Sequence, residues 1–125
     1  MEEQVESLVV SLYRTVFNSL VKSCYKQSKE AGWHDNPREV GTMLMLIVSE
    51  VAEAMEGYRK GLMDDHLPDR PMIEAELADA VIRICDLAGS LNLDLGGAII
   101  EKQQYNRTRL DHSREERAKP NGKKF

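Results

Sequence analysis

The chain has 125 residues, a formal net charge of -4, and 42% hydrophobic against 6% aromatic residues. That length suits one domain with a modest core, and the acidic balance argues against a general nucleic-acid binder, because phosphate backbones select basic surfaces. The two cysteines, Cys24 and Cys85, stand far apart in apolar helical patterns and are expected as free thiols, since two cysteines make neither a disulfide framework nor a zinc site.

The N-terminal segment opens with Glu2 and Glu3, and its apolar residues are interrupted by polar ones, which is not a secretory pattern. Val5, Leu8, Val9, Leu12, Val16, Leu20 and Cys24 recur at steps of three and four, widened by Tyr13, Phe17 and Val21. This spacing predicts a long amphipathic helix over 3–29. The stretch "EAGWHDNP" breaks it, with Gly32 suited to a helix end. In "NPRE", Asn36 as cap, Pro37 at the first position and Glu39 closing a capping box predict a second helix over 37–60. Its expected packed face holds Met43, Leu44, Ile47, Val51, Ala54, Met55 and Tyr58, and Gly61 ends it. The run "MLMLIV" within it is too short to span a bilayer, so a cytoplasmic, membrane-free protein is expected. "GLMDDHLPDRP" reads as a loop, and a third helix follows from near Pro71 to about Gly89. Asn92 or Asp94 can cap a fourth helix carrying Leu95 to Arg109. The expected fold is all-α, a four-helix bundle-like domain over 1–110, followed by a polar, disordered tail over 111–125. The wide apolar arcs of the first and third helices suit an interface between subunits.

Carboxylates repeat at a spacing of three: Glu50 and Glu53 on the second helix, Glu76 and Asp79 on the third. Each pair shares one helix face and sits among small or apolar residues. If the two helices run antiparallel, the pairs face one another, and four carboxylates in a partly dry space require balancing protons or cations. Hard divalent cations meet that need: magnesium takes oxygen ligands and shares its shell with substrate phosphates. The plainer alternative is solvated acidic stripes in salt bridges with Lys60, Arg83 or Arg59. On the fourth helix, Lys102 and Asn106 lie four apart and Arg109 three further on. Lys102 and Arg109 offer cationic donors to phosphate oxygens, and Asn106 a hydrogen bond to a phosphate or a sugar hydroxyl. Trp33 can stack on a base or plug the end of the bundle. His34 and His66 read as surface histidines. Asp86, two turns beyond Asp79, either supports the pocket or makes a solvent-facing salt bridge.

Four stretches in order, "GW" at Gly32 and Trp33, "SEVAEAMEGYR", "EAELADAVIRICDLA" and "EKQQYNRTR", resemble the all-alpha nucleoside triphosphate pyrophosphohydrolases of the MazG-like group. The likeness covers roughly residues 32–109. It implies metal-dependent hydrolysis of a nucleoside triphosphate, the deoxy form included, to the monophosphate and pyrophosphate, in the service of nucleotide-pool cleaning. It implies that Glu50, Glu53, Glu76 and Asp79 hold Mg2+, with Mn2+ as a substitute, and that Lys102 and Asn106 face the phosphates or sugar. It also implies a homodimer or homotetramer. Water would attack the alpha phosphorus, with Glu53, placed between the two pairs, as the expected proton acceptor and Glu50 beside it. Two other functions fit the same residues: a pyrophosphohydrolase of a phosphoribosyl nucleotide, and a helical regulatory oligomer without chemistry.

Overall fold

The computed structural model describes all 125 residues, Met1–Phe125. The chain is all-α. Its helices are α1 (Glu2–Glu30), α2 (Val40–Lys60), α3 (Met72–Ser90), α4 (Leu95–Thr108) and α5 (Arg114–Ala118), with a 3-10 turn at Leu110–His112 between the last two. It divides into two compact units, Ser19–Leu93 and a second made of Met1–Asn18 with Asp94–Phe125.

In the unit of Ser19–Leu93, α2 and α3 form an antiparallel pair. Late on α2, Gly57 meets Met72 at the start of α3, and mid-α2 Glu50 meets Arg83 further along α3. A Cβ at Gly57 would lie 2.6 Å from the Met72 side chain, so this close approach requires glycine. Gly61 ends α2 in the left-handed conformation (φ 62), its N–H closing onto Gly57 and Tyr58 carbonyls, which is the stop expected of it. The connecting loop is built, not slack: Asp64 N–H bonds to the Arg70 carbonyl at 2.9 Å and Met72 N–H to the Leu62 carbonyl at 2.9 Å. The Asp64 carboxylate holds His66 and Leu67 N–H, fixing the turn between them.

The second helix starts later than "NPRE" predicts. Glu39 is itself the cap, accepting from Gly41 N at 2.7 Å and Thr42 N at 2.6 Å, so Asn36, Pro37 and Arg38 stay in the loop. The carboxylate satisfies two donors that would otherwise lack partners, and its negative charge suits a helix N-terminus. The packed face of α2 also differs from expectation. Met43, Glu50, Ala54 and Gly57 are buried, whereas Leu44, Val51, Met55 and Tyr58 are exposed. The C-terminal half of α1 lies on α3, with Tyr25 against Gly89 and Val21 buried. Cys24 and Cys85 are free thiols, as expected. Cys85 is completely enclosed, and burial pushes its thiol up to about 11.

In the unit of Met1–Asn18 and Asp94–Phe125, Asp94 does cap the fourth helix. It accepts from Gly97 N at 3.0 Å, pairs with Arg14 at 2.5 Å, and accepts from Asn18 Nδ2 at 2.7 Å. The Arg14 guanidinium holds the Asp94 carboxyl down to about 2. Residues 111–125, expected without regular structure, carry the end of the 3-10 turn and α5, the latter capped by Ser113 through Glu116 N–H. A hydroxyl placed three residues before a free N–H is enough to start that single turn.

Candidate metal centre

The two carboxylate pairs sit on α2 and α3, and the antiparallel pairing turns one face of each helix toward the other. Glu50, Glu76 and Asp79 each bring a carboxylate oxygen to a point where all three lie within 4.8 Å of one another. Glu50 is buried, with 8% of its surface exposed. Glu53 is exposed and stands outside this set of three, although it lines the same cavity, one of about 720 Å³ that also takes in Asp64, His66 and Arg70. The expected four-carboxylate set is thus three that converge and a fourth one turn along the wall.

The alternative of plain salt bridges is partly realised. Arg83 Nε donates to Glu50 Oε1 at 2.6 Å, while Lys60 and Arg59 both go to Glu56 and leave the cluster alone. One guanidinium does not neutralise three carboxylates. Burial pushes Glu76 up to about 7, and its hydrogen bond to Glu50 and the Glu50 and Glu53 charges push the same way. Burial also raises Glu50, but Arg83 and the hydrogen bonds from Glu76 and Glu53 outweigh it and hold Glu50 below the usual carboxylate range. Asp79 is raised, first by burial and next by the Glu50 charge. Protons on this cluster stand where a cation would go. Three hard oxygen donors, with no thiol or imidazole among them, suit a hard divalent cation. The cluster can coordinate a divalent metal.

A second cavity, of about 530 Å³, shares Glu50, Asp79 and Ile82 with the first and extends toward α1. Trp33 and Arg38 stand on its wall. Trp33 is 65% exposed, so it does not plug the bundle. The expectation of surface histidines needs correcting for His34. Its ring is largely enclosed, packs edge-on against Tyr25 at 5.0 Å, and bonds through Nε2 to buried Asp86 at 2.8 Å. Asp86 faces the protein interior and not solvent. The partners Ser28, His34 and Arg38 went unrecognised in the sequence. The available signal was two basic side chains beside Trp33 in a short loop, with a carboxylate on the inner face of α3.

Lys102, Asn106 and Arg109 belong to the unit of Met1–Asn18 and Asp94–Phe125. Lys102 is exposed, its Nζ 5.2 Å from the Tyr105 ring centroid. Asn106 Oδ1 is buried with no hydrogen-bond partner. Arg109 lies past the end of α4, where Nε and Nη2 bond the Asp111 carboxylate at 3.0 and 2.7 Å.

No family model, no curated protein and no solved structure matches the chain. No helix is long and apolar enough to cross a membrane.

Proposed function

We propose that the chain is a magnesium-dependent pyrophosphohydrolase of nucleoside or deoxynucleoside triphosphates, working as a cytoplasmic homodimer or homotetramer of the MazG-like kind in nucleotide-pool cleaning. The observation that carries this is the convergence of Glu50, Glu76 and Asp79 from two helices beside two joined cavities. The ordered sequence stretches supply the reaction class, and the carboxylates supply its chemical requirement.

A bound magnesium ion supplies positive charge against the triphosphate oxygens and acidifies water. Glu50, Glu76 and Asp79 would hold it. Glu53 shares their cavity and stands outside the set of three; once the proton it shares with Glu50 is displaced, it would take the proton from the water that attacks the alpha phosphorus. The sequence resemblance alone assigns Lys102 and Asn106 to the phosphates or sugar, as a point charge and an amide respectively, with Arg109 a weaker candidate because its donors are engaged by Asp111. Trp33 offers an exposed ring face to the base.

The test is a panel of ribo- and deoxyribonucleoside triphosphates with magnesium, scored for products. The expected result is equimolar monophosphate and pyrophosphate. Release of orthophosphate would contradict cleavage at the alpha phosphorus. Turnover of a phosphoribosyl nucleotide with no triphosphate turnover would reassign the substrate.

A further inference from the structure

Asp86 is a buried carboxylate that the phosphate chemistry leaves unused. It accepts three hydrogen bonds, from Ser28 Oγ at 3.1 Å, His34 Nε2 at 2.8 Å and Arg38 Nη1 at 3.2 Å. A buried charge persists only with partners of this kind, and here one comes from α1 and two from the loop between α1 and α2. Gly32, in the left-handed region at φ 87, turns the chain out of α1, with Trp33 N–H on the Ser28 carbonyl at 3.1 Å and Asp35 N–H on the Gly32 carbonyl at 3.2 Å; the next backbone N–H groups held are those of the Glu39 cap. To these bonds Asp86 adds the side-chain anchor that ties the segment carrying Trp33 and Arg38 to α3.

What the anchor holds is a wall of the 530 Å³ cavity. Arg38 lies with its guanidinium carbon 5.8 Å from the Trp33 ring centroid. Nη1 is committed to Asp86, and the other Arg38 N–H groups bond no protein atom. Trp33 has most of its surface open. Glu50 and Asp79 belong to both this cavity and the acidic one. Asp86 follows Asp79 on α3 by seven residues, two turns on one face, a rise of about 10.5 Å. An aromatic face with free guanidinium donors thus stands about two helical turns from the carboxylate cluster.

We infer that Asp86 is a positioning residue. It holds Trp33 and Arg38 as a platform for the planar heteroaromatic end of a ligand whose phosphates reach Glu50, Glu76 and Asp79. The phosphate end of this arrangement rests on the hydrolase reading given above, while the platform itself can be read without turnover.

Trp33 is the single tryptophan of the chain, so its emission reports on the platform alone. Wild type, Asp86→Asn and Arg38→Gln are titrated with the common nucleoside monophosphates and, separately, with inorganic triphosphate. Manganese affinity, melting temperature, KM and kcat are measured in parallel. At least one nucleotide is expected to quench wild-type emission, and inorganic triphosphate is not. Both variants should weaken that nucleotide, and raise the triphosphate KM, by roughly tenfold, the loss of one charge-assisted bond. Their kcat and manganese affinity should stay close to wild type. An unchanged nucleotide affinity alongside a lowered melting temperature would make Asp86 a structural staple and overturn the inference, as would quenching by no nucleotide. If Asp86→Asn does not fold, Arg38→Gln decides by the same readings. Quenching that depends on Asp86 in a protein that hydrolyses nothing would keep the platform and remove the hydrolase. Hydrolysis with a KM indifferent to both variants would do the reverse.

Discussion

Glu76 has the strongest reason to keep a proton. Its ordinary value is 4.5 and its folded value about 7, so between those limits the folded chain binds a proton that the unfolded chain has lost. Stability from this group is complete below about pH 4.5 and is lost as pH rises through about 7. Denaturant unfolding without metal should therefore show stability falling across that window in wild type and a flatter profile in Glu76→Gln. Manganese must displace the same proton. Titrations near pH 6.5 in two buffers of different ionisation enthalpy should give different apparent heats, reporting proton release, and affinity should rise with pH. The other acids separate by role. Glu50→Gln and Asp79→Asn should each weaken manganese at least about tenfold, by analogy with the sensitivity of metal sites to their outer partners. Glu53→Gln should leave manganese affinity nearly intact yet slow turnover by about 10² to 10⁴, the usual worth of a positioned base. Equal manganese loss in Glu53→Gln would make it a fourth ligand and not the base. Spacing made the carboxylate faces legible, because three residues along a helix always share a side. It could not tell which acid of the Glu50 and Glu53 pair converges on α3, since that depends on how α2 is rotated against its neighbour. His34 was hidden for a related reason: its partner, Asp86, is 52 residues away in sequence and meets it only through folding.

The rotation and spacing of α2 against α3 are set at Gly57. A side chain there would run into Met72, so Gly57→Val must part the helices or force Met72 from its rotamer, at about 1–3 kcal/mol for overpacking. Because the same separation brings Glu50 to Glu76 and Asp79, the melting temperature and the manganese affinity should fall together in Gly57→Val. A stability loss with undiminished metal binding would show that the cluster is positioned locally and not by the helix pair. At this scale the sequence was readable where a residue's own backbone preference decides, as at Gly61 and at Asp94. It was less readable where two caps compete. Asn36 and Pro37 form a proper start signal, but Glu39 satisfies two N–H groups by itself and leaves the preceding residues to the loop that Asp86 gathers. In the polar stretch after Leu110 no apolar period announced α5, whose single turn needs only the Ser113 cap.

The large apolar side chains of the whole chain are mostly unburied. The enclosed hydrophobic residues are Val21, Met43, Ala54, Ala75, Ala80, Cys85, Leu87 and Ala88, all of them in the unit of Ser19–Leu93 and half of them alanine. Meanwhile α2 carries two apolar stripes. Met43, Ala54 and Gly57 face inward, and Leu44, Val48, Val51, Met55 and Tyr58, at steps of four, three, four and three, remain exposed. On α3, Leu77, Val81 and Ile84 repeat that spacing, also exposed. Side chains of this size each gain about 1.5–3 kcal/mol on full burial, and a seam with alternating steps of three and four is what a second helix packs into. The sequence reading put Leu44, Val51, Met55 and Tyr58 on a packed face and gave the arc of the third helix to a subunit interface, because periodicity shows that a face is apolar and cannot show whether the same chain or another copy covers it. Under the homo-oligomer proposed above, a second copy would be the occupant, since it brings matching seams. Light scattering behind size exclusion should then give a mass of two or four times 14.2 kDa, and the melting temperature should rise with protein concentration. Val51→Glu, at the middle of the α2 seam and exposed where its neighbour Glu50 is buried, should return the chain toward 14.2 kDa and lower its melting temperature. Ser49→Glu, off the seam, should do neither. A wild-type mass of one chain at tens of micromolar, with a melting temperature indifferent to concentration, would mean that the seams meet no second copy and would leave their apolar character without this explanation.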